Sequence, residues 1–282
     1  MELGTVLLTL LALVAFAANS LLARLALGAH AIDAATFTLL RLGSGAAVLS
    51  LLVRKQGRTL IAPRGSGAFG PLALFGYVAP FSFAYVRIGA AVGALVLFGV
   101  VQLTMVGYGI VRGERPSAWS WLGLALATGG LLVLTLPSAA RPDPLGLALM
   151  VVAGVAWAAY SLAGRESTDP VAANAWSFLL ASLPAFVLAT VVRSPAEPSW
   201  RGVALAVLSG GVASGLGYAV WYRVLPRLSV TQAAVAQLSV PVIAAAGAAL
   251  LLHERLSARL LVAGVLVLSG VSLVLTARRP AR

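Results

Sequence analysis

The segment GERPSA at residues 113–118 recurs 140 residues later as HERLSA at residues 253–258. Four of the six positions are identical, and each copy lies between two long apolar runs. Similarity at a fixed offset is the signature of an internal repeat. A charged match in register with the ends of apolar runs is harder to attribute to composition than a match between Ala- and Leu-rich helices. The sequence therefore predicts that one span–turn–span unit is used twice.

The similarity extends beyond this turn in both directions. Residues 98–118 align with residues 238–258 at the same offset, and the parts upstream align at an offset of 141. One inserted residue reconciles the two offsets. We therefore interpret the chain as two related halves, residues 1–137 and residues 138–282.

The composition is that of an integral membrane protein. The chain is 60% hydrophobic and 10% charged, with a mean hydropathy of +0.98, whereas a soluble domain carries about 25% charged residues. It contains no cysteine and two histidines, so disulfides and cysteine-ligated metals are excluded. We expect no metal and no cofactor. The net charge of +12 lies mostly between apolar runs, which favours contact with lipid headgroups and not with nucleic acid.

A bilayer requires about 20 apolar residues per helix, and that window predicts an all-α protein with ten transmembrane helices. Of the twenty Lys and Arg residues, twelve fall on the side of the N-terminus and seven on the other side, with Arg41 inside a span. This bias predicts that both termini are cytoplasmic. The predicted spans are 4–27, 34–53, 68–86, 90–111, 117–136, 144–164, 171–192, 202–222, 229–251 and 257–277.

Five spans per half is an odd number, so the second half must enter the membrane from the opposite side. Inverted repeats of this kind are the usual construction of secondary transporters, with the substrate site near the midplane between the halves. The sequence thus predicts two inverted five-helix repeats and alternating access to a central cavity.

Several short motifs together resemble the drug/metabolite transporter superfamily, in particular its EamA-type exporters. The motifs are FAANSLLAR at 16–24, LLRLGSGAA at 39–47, the two glutamate turns VRGERPS and LHERLS, and LSVPV at 238–242. The chain departs from the family pattern with Phe16 for the commoner Trp, Arg24 for the commoner Lys, and Val101 where the other half has proline. The resemblance implies a metabolite exporter of a bacterial-type inner membrane. The cargo classes it implies are amino acids, including those of the aromatic amino-acid exporter branch, and amphipathic toxic compounds.

Arg41 is the charge that lies well inside a predicted span. Placing it there costs about 2.5–3.5 kcal/mol on insertion scales, so it is expected to face a cavity or a partner. One interpretation is a cationic anchor for a substrate carboxylate. The other is a structural arginine that carbonyls or helix C-termini satisfy, and the family carries an arginine here across many cargoes.

Aromatic and amide side chains recur at helical spacing and are the candidates for a cavity lining. Aromatic rings offer apolar area with a polar tip, which suits small amphipathic molecules. An interfacial aromatic belt is the alternative that we expect for Trp119, Trp121, Trp200 and Trp221, and helix–helix hydrogen bonds are the alternative for Gln102, Gln232 and Gln237. The predicted substrate-binding residues are Asn19, Arg41, Tyr77, Phe81, Tyr85, Gln102, Trp157, Tyr160, Tyr218 and Gln237.

Two prolines inside spans, Pro80 and Pro241, are the predicted hinges, because proline frees a carbonyl and bends a helix; static kinks are the alternative. All eight acids lie at span ends or in loops, whereas ion-coupled transporters usually place a carboxylate or histidine inside the membrane. We therefore predict transport down the substrate's own gradient without obligatory proton coupling. Glu114 is expected to pair with Arg115 or with backbone near its turn.

Other classes fit the sequence less well. A membrane-embedded enzyme needs a cluster of His, Asp or Glu at a membrane face, and a channel needs continuous polar stripes. A multidrug exporter or a carrier of phosphate-bearing metabolites on the same fold remains an alternative, although phosphate needs clustered Lys or Arg. The expected partners are a small-molecule substrate and membrane lipids, and a monomer suffices for the two halves to form one cavity.

Overall fold

The computed structural model describes residues 2–58, 67–135, 143–165, 167–192, 197–251 and 257–277. The helices in these ranges are α1 Leu3–Leu27, α2 Ala34–Lys55, α3 Phe69–Val111, α4 Ala118–Thr135, α5 Pro144–Gly164, α6 Pro170–Val191, α7 Trp200–Leu208, α8 Gly217–Val224, α9 Val230–Gln237, α10 Ser239–Leu251 and α11 Ala258–Thr276. A π-helical segment, Ser209–Leu216, joins α7 to α8, and a 3-10 turn, Leu225–Arg227, follows α8. The predicted boundary at 137/138 and the second glutamate of the repeated turn, Glu254, lie outside the described residues.

Acids and hydroxyls at the predicted span ends begin the helices. Asp33 accepts the backbone N–H groups of Ala35 and Thr36, and Asp143 and Asp169 begin α5 and α6 in the same way. Each carboxylate satisfies N–H groups that have no partner within the helix. The acids therefore lie outside the spans because they cap them.

Nine helical stretches within the described residues are long and apolar enough to cross a membrane. They correspond to the predicted spans, except that the third and fourth form one 43-residue stretch, α3. Inside it, Gly89 has φ 68° and ψ 177°, a backbone conformation that favours glycine. The chain is thus an all-helical, multi-pass integral membrane protein.

The chain reverses direction at Gly89. A Cβ on Gly76 would lie 3.6 Å from the Ala156 Cβ, and a Cβ on Gly154 would lie 2.8 Å from the Val100 Cβ. A straight helix would separate residues 76 and 100 by about 36 Å, yet both lie beside the same turn of α5. The two parts of α3 on either side of Gly89 therefore form a hairpin.

The helices pack in an arrangement that leaves α1 near the centre. α1 contacts α7, the π-helical segment, α8 and α10, while α3 packs along α5, α4 along α11, and α2 along α6 and the π-helical segment. Glycines allow backbones to approach closely at these contacts. A Cβ on Gly210 would collide with the Arg41 carbonyl, so the π-helical segment can lie directly on α2.

Candidate functional site

A cavity of about 380 Å³ lies between α1, α3, α4 and α10. It opens at the end of the bundle where α1 and α4 terminate, since Arg24 and Thr135 belong to its wall. The wall is mostly apolar and aromatic, as is usual for small-molecule sites. Its lining residues are Ser20, Leu21, Arg24, Phe81, Tyr85, Ala90, Ala91, Ala94, Leu97, Phe98, Leu134, Thr135, Pro241, Ala244 and Ala245.

Arg41 lies beneath this cavity and is fully buried. Its Nε donates to Ser214 Oγ at 3.0 Å, and its Nη2 donates to Tyr218 OH at 2.8 Å and to Tyr77 OH at 3.2 Å. The guanidinium also lies 5.2 Å from the ring centroid of Tyr77 and 5.6 Å from that of Phe81, within cation–π range. Arg41 thereby connects α2 to α3, to the π-helical segment and to α8.

Arg41 has hydroxyl partners and no carboxylate partner among the described residues, and its Nη1 atom makes no hydrogen bond with them. Phe81 belongs both to the cavity wall and to the set of rings around the guanidinium. The Phe81 ring therefore lies between the cavity and the buried cation.

The π-helical segment supplies two hydroxyls that the sequence analysis did not identify. Ser209 Oγ donates to Asn19 Oδ1 at 2.7 Å, and Ser214 Oγ lies 3.4 Å from the same oxygen. Ser214 also accepts from Arg41, so the chain Asn19–Ser214–Arg41 crosses three elements. π-Helical turns are frequent at functional sites, but their hydrophobic pattern does not distinguish them from an α-helix.

A cluster of aromatic rings fills the space around Arg41. The Phe16 ring centroid lies 5.3–5.6 Å from those of Trp157, Tyr218 and Trp221 in edge-to-face contacts, the arrangement that aromatic pairs favour. Trp157 lies 5.0 Å from Tyr77 and 4.8 Å from Tyr218. This aromatic cluster closes the bundle beneath the cavity.

Hydrogen bonds fix several polar tips in this cluster, whereas Trp221 Nε1 has no partner among the described residues. Trp157 Nε1 donates to Gln237 Oε1 at 2.6 Å, and Gln237 Nε2 contacts Met105 Sδ at 3.4 Å. Tyr160 OH donates to Asn174 Oδ1 at 2.7 Å. For Gln237 the structure therefore shows the alternative to a cavity lining, a hydrogen bond between two helices.

Gln102 differs from these groups. It is buried, and neither its Oε1 nor its Nε2 has a hydrogen-bond partner among the described residues. It lies one helical turn beyond Phe98, on the helix face that lines the cavity. An unsatisfied buried amide costs about 1–3 kcal/mol, so Gln102 is available to a ligand or to water that reaches the cavity floor.

The ten predicted substrate-binding residues thus divide into two groups. Phe81 and Tyr85 line the cavity, and the other eight lie beneath it in or beside the aromatic cluster. The predicted hinge Pro241 also lines the cavity, close to the break between α9 and α10 at Leu238. Pro80 lies inside α3, one residue before Phe81. Substrate contact by the eight deeper residues stays a prediction.

One smaller expectation, the belt position of Trp221, was wrong, and for Gln232 the alternative of helix–helix hydrogen bonds is what the structure displays. Trp221 is fully buried in the aromatic cluster and does not belong to an interfacial belt, whereas Trp119, Trp121 and Trp200 are exposed. Gln232 does not line the cavity, because it forms a capping box with Ser229 and its Nε2 donates to carbonyls of α11. Both residues lie near span ends, where sequence position alone does not reveal which face is covered.

Sequence reasoning missed most of the cavity wall. Ser20 and Arg24 are four residues apart on α1, on one face with Phe16, which was the available signal. The alanines of α3 and α10 carry no signal of their own, since alanine is frequent throughout the spans. Their role as cavity lining is evident only from the structure, in which packing of the helices brings them around one cavity.

The opposite end of the bundle is held by Glu114. Its carboxylate accepts the backbone N–H of Val230 at 2.6 Å, the N–H of Thr231 at 3.1 Å and the Thr231 hydroxyl at 2.9 Å. A carboxylate at a helix N-terminus satisfies unpaired N–H groups and interacts favourably with the helix dipole. Of the two expected partners, Arg115 and backbone, the structure gives backbone, together with the Thr231 hydroxyl, and both belong to α9.

One ion pair lies near the cavity end. Arg87 Nη1 lies 2.6 Å from Asp143 Oδ2, and this hydrogen bond lowers the pKa of the Asp143 carboxyl below its ordinary value. Both side chains are partly exposed, so the pair contributes little to stability. Neither residue belongs to the cavity wall.

A second, more open cavity of about 770 Å³ lies at the other end, between the start of α1 and the end of α11. Its walls include Arg227, Gln232 and Thr276, and it contains none of the predicted substrate-binding residues. The first cavity adjoins the buried polar groups and is therefore the candidate substrate site. Within the described residues, no group of three or more His, Cys, Asp or Glu is arranged to hold a metal ion.

A multi-pass helical bundle with an apolar cavity, one wall of which packs on a buried cation, is the arrangement expected of a membrane transporter. Comparison with known proteins makes this specific. The EamA-like transporter family matches residues 144–276. An uncharacterized protein of Pseudomonas aeruginosa is 50% identical over 274 residues, covering 97% of this chain and 95% of that protein.

Two named relatives are more distant. A "Probable amino-acid metabolite efflux pump" of Escherichia coli is 30% identical over 208 residues, 68% of this chain and 70% of that protein. A protein of the same name from Salmonella typhimurium is 30% identical over 221 residues, 72% of this chain and 73% of that protein. A crystal structure at 21% identity superposes with a TM-score of 0.79 over 94% of this chain and 98% of the other, which supports the fold.

The chain belongs to the EamA-like transporter family, within the drug/metabolite transporter superfamily. It is therefore a multi-pass membrane transporter of small molecules and not an enzyme.

Proposed function

We propose that this chain exports small amphipathic metabolites, above all amino acids with apolar or aromatic side chains, across a bacterial-type inner membrane. The observation that carries the proposal is the 380 Å³ cavity with aromatic and aliphatic walls. Its wall residue Phe81 packs on the buried Arg41 guanidinium, and Gln102, whose amide has no partner among the described residues, follows its wall residue Phe98 by one helical turn. An apolar side chain fits the Phe81, Tyr85 and Phe98 wall. A carboxylate is the complement of Arg41 Nη1 once the Phe81 ring turns aside.

The proposed mechanism is alternating access by two inverted five-helix repeats, residues 1–137 and 138–282. The hairpin at Gly89 supports ten spans, because a 43-residue helix is about 65 Å long, twice the hydrocarbon thickness. The packing supports the repeat. α2 pairs with α6 and α4 with α11, and the contact of α1 with α10 matches that of the second arm of α3 with α5.

The structure has the geometry of one of the two end states of alternating access, in which the cavity is open to one side of the membrane and closed to the other. The cavity opens where α1 ends, and Glu114 closes the other end by capping α9. With cytoplasmic termini, the open end faces outward, away from the cytoplasm. In the opposite state the Glu114 cap opens and the cavity walls approach each other, with Pro80 and Pro241 as the proposed hinges.

Proton coupling is not part of the proposal. Within the described residues, Glu2 and Glu197 are exposed and the other acids cap helices or pair with arginine, and the cavity wall holds no carboxylate and no histidine. The substrate's own gradient then drives transport. One arginine in the wall is a weak basis for phosphate recognition, whereas the apolar wall favours uncharged amphipathic compounds as the second cargo class.

The test is uptake of labelled phenylalanine, threonine and methionine into proteoliposomes without an ion gradient. Ala94 lines the cavity, and Ala125 is an exposed alanine of α4. Ala94→Trp is expected to abolish equilibration by filling the cavity, and Ala125→Trp is the matched control that keeps it. Equal uptake by both variants would show that the substrate takes another path. Uptake by neither the wild type nor the control would rule out these three amino acids as cargo.

A further inference from the structure

The Arg41 guanidinium is a buried cation that its neighbours do not neutralise. Arg41 is 0% exposed, and its three hydrogen bonds end at the hydroxyls of Ser214, Tyr77 and Tyr218. A neutral hydroxyl offers a dipole and no formal negative charge. Neither of the two ion pairs among the described residues includes Arg41. The positive charge is therefore held by dipoles and rings, without a carboxylate of the described chain.

One end of this guanidinium also lacks hydrogen-bond acceptors. A guanidinium has five N–H groups, of which Nε–H donates once and Nη2 twice. Nη1 carries the other two N–H groups, and it is buried without a hydrogen-bond partner among the described residues. A buried donor of a charged group is costly when it stays unsatisfied, so these two N–H groups favour a ligand that accepts from them.

The chemistry of that ligand follows from what the site lacks. The guanidinium carbon lies 5.2 Å from the Tyr77 ring centroid and 5.6 Å from that of Phe81, but a ring quadrupole attracts a cation less strongly than a full negative charge does. Water accepts hydrogen bonds and leaves the charge uncompensated. A monovalent anion supplies both the acceptor and the opposite charge.

The surroundings also limit the size of the anion and provide its route. Two rings and three hydroxyls enclose the guanidinium, and a phosphate or sulfate requires several cationic donors, whereas Arg41 is the one arginine of this described cluster. Phe81 belongs to the cavity wall as well as to this enclosure. A small anion that enters the open cavity therefore reaches Nη1 by rotation of the Phe81 ring.

We propose that Arg41 forms a binding site for a small monovalent inorganic anion, a halide, and that chloride occupies it while the cavity holds no cargo. The chloride accepts from the two N–H groups of Nη1 and neutralises the guanidinium. A cargo carboxylate that reaches Nη1 has the same charge and displaces the halide. The halide site does not depend on the identity of the cargo, on the direction of transport or on the driving force.

Thermal unfolding of the full chain in nanodiscs, without cargo, tests this site. Sodium chloride replaces sodium gluconate from about 1 to about 300 mM at constant ionic strength, so that screening stays the same. Because an anion that binds only the folded protein stabilises it with the logarithm of its concentration, a Kd of about 10 mM raises the midpoint by about 4 °C or more over this series. Bromide is expected to act as chloride does, and gluconate is too large to enter.

Two variants assign the effect to Arg41. Arg41→Met is expected to unfold at a lower temperature and to lose the dependence on chloride. Arg223→Gln is the matched control, because Arg223 is an exposed arginine in the last turn of α8 and its neutralisation is expected to leave the dependence unchanged. Should Arg41→Met not fold, anomalous scattering from wild-type crystals soaked in bromide decides, with a peak expected in contact with Arg41 Nη1.

Several outcomes would overturn the proposal. They are equal midpoints in chloride and gluconate, a chloride dependence that Arg41→Met retains, and bromide bound only away from Arg41. If L-phenylalanine raises the midpoint and chloride does not, the anion at Arg41 is the cargo carboxylate: the halide site is then refuted, and the proposed export function stands. A response to chloride without one to phenylalanine, threonine or methionine would instead support the halide site and count against these three amino acids as cargo.

Discussion

Glu114 and Val230 are 116 residues apart in sequence, and the Val230 N–H donates to the Glu114 carboxylate at 2.6 Å. One residue belongs to the first of the two repeated turns and the other begins a helix of the second predicted half. The repeated turn therefore has a role beyond joining two spans, because its acid caps a helix from the other half of the bundle.

Replacing Glu114 by Gln is expected to weaken this closed end. The amide keeps one acceptor oxygen but loses the negative charge that favours a helix N-terminus, and it presents an N–H₂ group to the N–H donors of α9. The free energy that stabilises the capped end is therefore expected to fall by about 1–2 kcal/mol. A cysteine at the buried position Ala233 is then expected to react about tenfold faster with a maleimide added on the N-terminal side. The chain has no native cysteine, so the label reports this site alone.

Glu197→Gln is the control for this experiment, because Glu197 is exposed and removed from the cap. Its labelling rate is expected to match that of the parent. Unchanged labelling in Glu114→Gln would mean that packing of the aromatic cluster, and not the cap, holds this end closed.

Joining the two walls of the cavity is expected to stop transport. Ala91 lies on the second arm of α3 and Ala245 on α10, and both line the cavity. A bifunctional maleimide across cysteines at these positions fixes the distance that alternating access must change. Uptake is measured before and after crosslinking, with each single cysteine as the control. Undiminished uptake in the crosslinked sample would contradict motion of these two hairpins.

Replacing Arg41 by Met is expected to lower stability more than it lowers affinity. The change leaves the hydroxyls of Ser214, Tyr77 and Tyr218 without their shared donor. By comparison with other buried polar groups, the free energy of unfolding is expected to fall by about 2–4 kcal/mol. A drop in the thermal unfolding midpoint of the detergent-solubilised protein checks this. An unchanged midpoint together with lost phenylalanine binding would instead identify Arg41 as a direct substrate contact.

Two glycine substitutions separate close packing from helix propensity. Gly210→Ala places a Cβ against the Arg41 carbonyl, and such overpacking costs about 1–3 kcal/mol or more. Gly129→Ala lies in α4 where a Cβ meets nothing within 4 Å, so it is expected to stabilise the helix by about 0.5–1 kcal/mol. Unfolding midpoints of the two variants are thus expected to shift in opposite directions. A stable Gly210→Ala protein would show that α2 and the π-helical segment separate readily.

An imposed pH gradient is expected not to drive accumulation of phenylalanine. Among the described residues, the cavity wall holds no carboxylate and no histidine, so a proton has no carrier of these types along the route. Internal and external label concentrations are compared at equilibrium with and without the gradient, using a protonophore as the control. Accumulation above the external concentration that the protonophore abolishes would refute gradient-following transport.

The sequence was informative about features that follow from the period of apolar residues or from the position of a charge along a span. Long apolar runs between turns gave the spans, and the acids at their ends proved to be caps such as Asp33. The position of Arg41 inside a span predicted that it faces a cavity or a partner, and hydroxyl partners are what the structure shows. The spacing of Tyr77, Phe81 and Tyr85 predicted three rings on one helix face, and neighbouring rings are in contact.

The remainder depends on tertiary packing that no local pattern encodes. Ser209 and Ser214 belong to a π-helical turn whose extra residue leaves the hydrophobic period almost unchanged, so their contacts with Asn19 and Arg41 were not foreseeable. The partners of Glu114 are two backbone N–H groups and the Thr231 hydroxyl of α9, and the sequence near Glu114 does not indicate which helix supplies them. Arg24 lies near the end of the first predicted span, 4–27, and its place in the cavity wall depends on how α1 packs against α3 and α10.

The alanine wall of the cavity has an evolutionary consequence. Ala90, Ala91, Ala94, Ala244 and Ala245 each present one methyl group to the cavity, and single nucleotide changes convert alanine codons to glycine, serine, threonine or valine. Each such change alters the cavity by a few atoms without touching the frame that Arg41 and Gly210 form. A lineage carrying this fold can therefore acquire new cargo in small mutational steps while its folding determinants stay under separate selection.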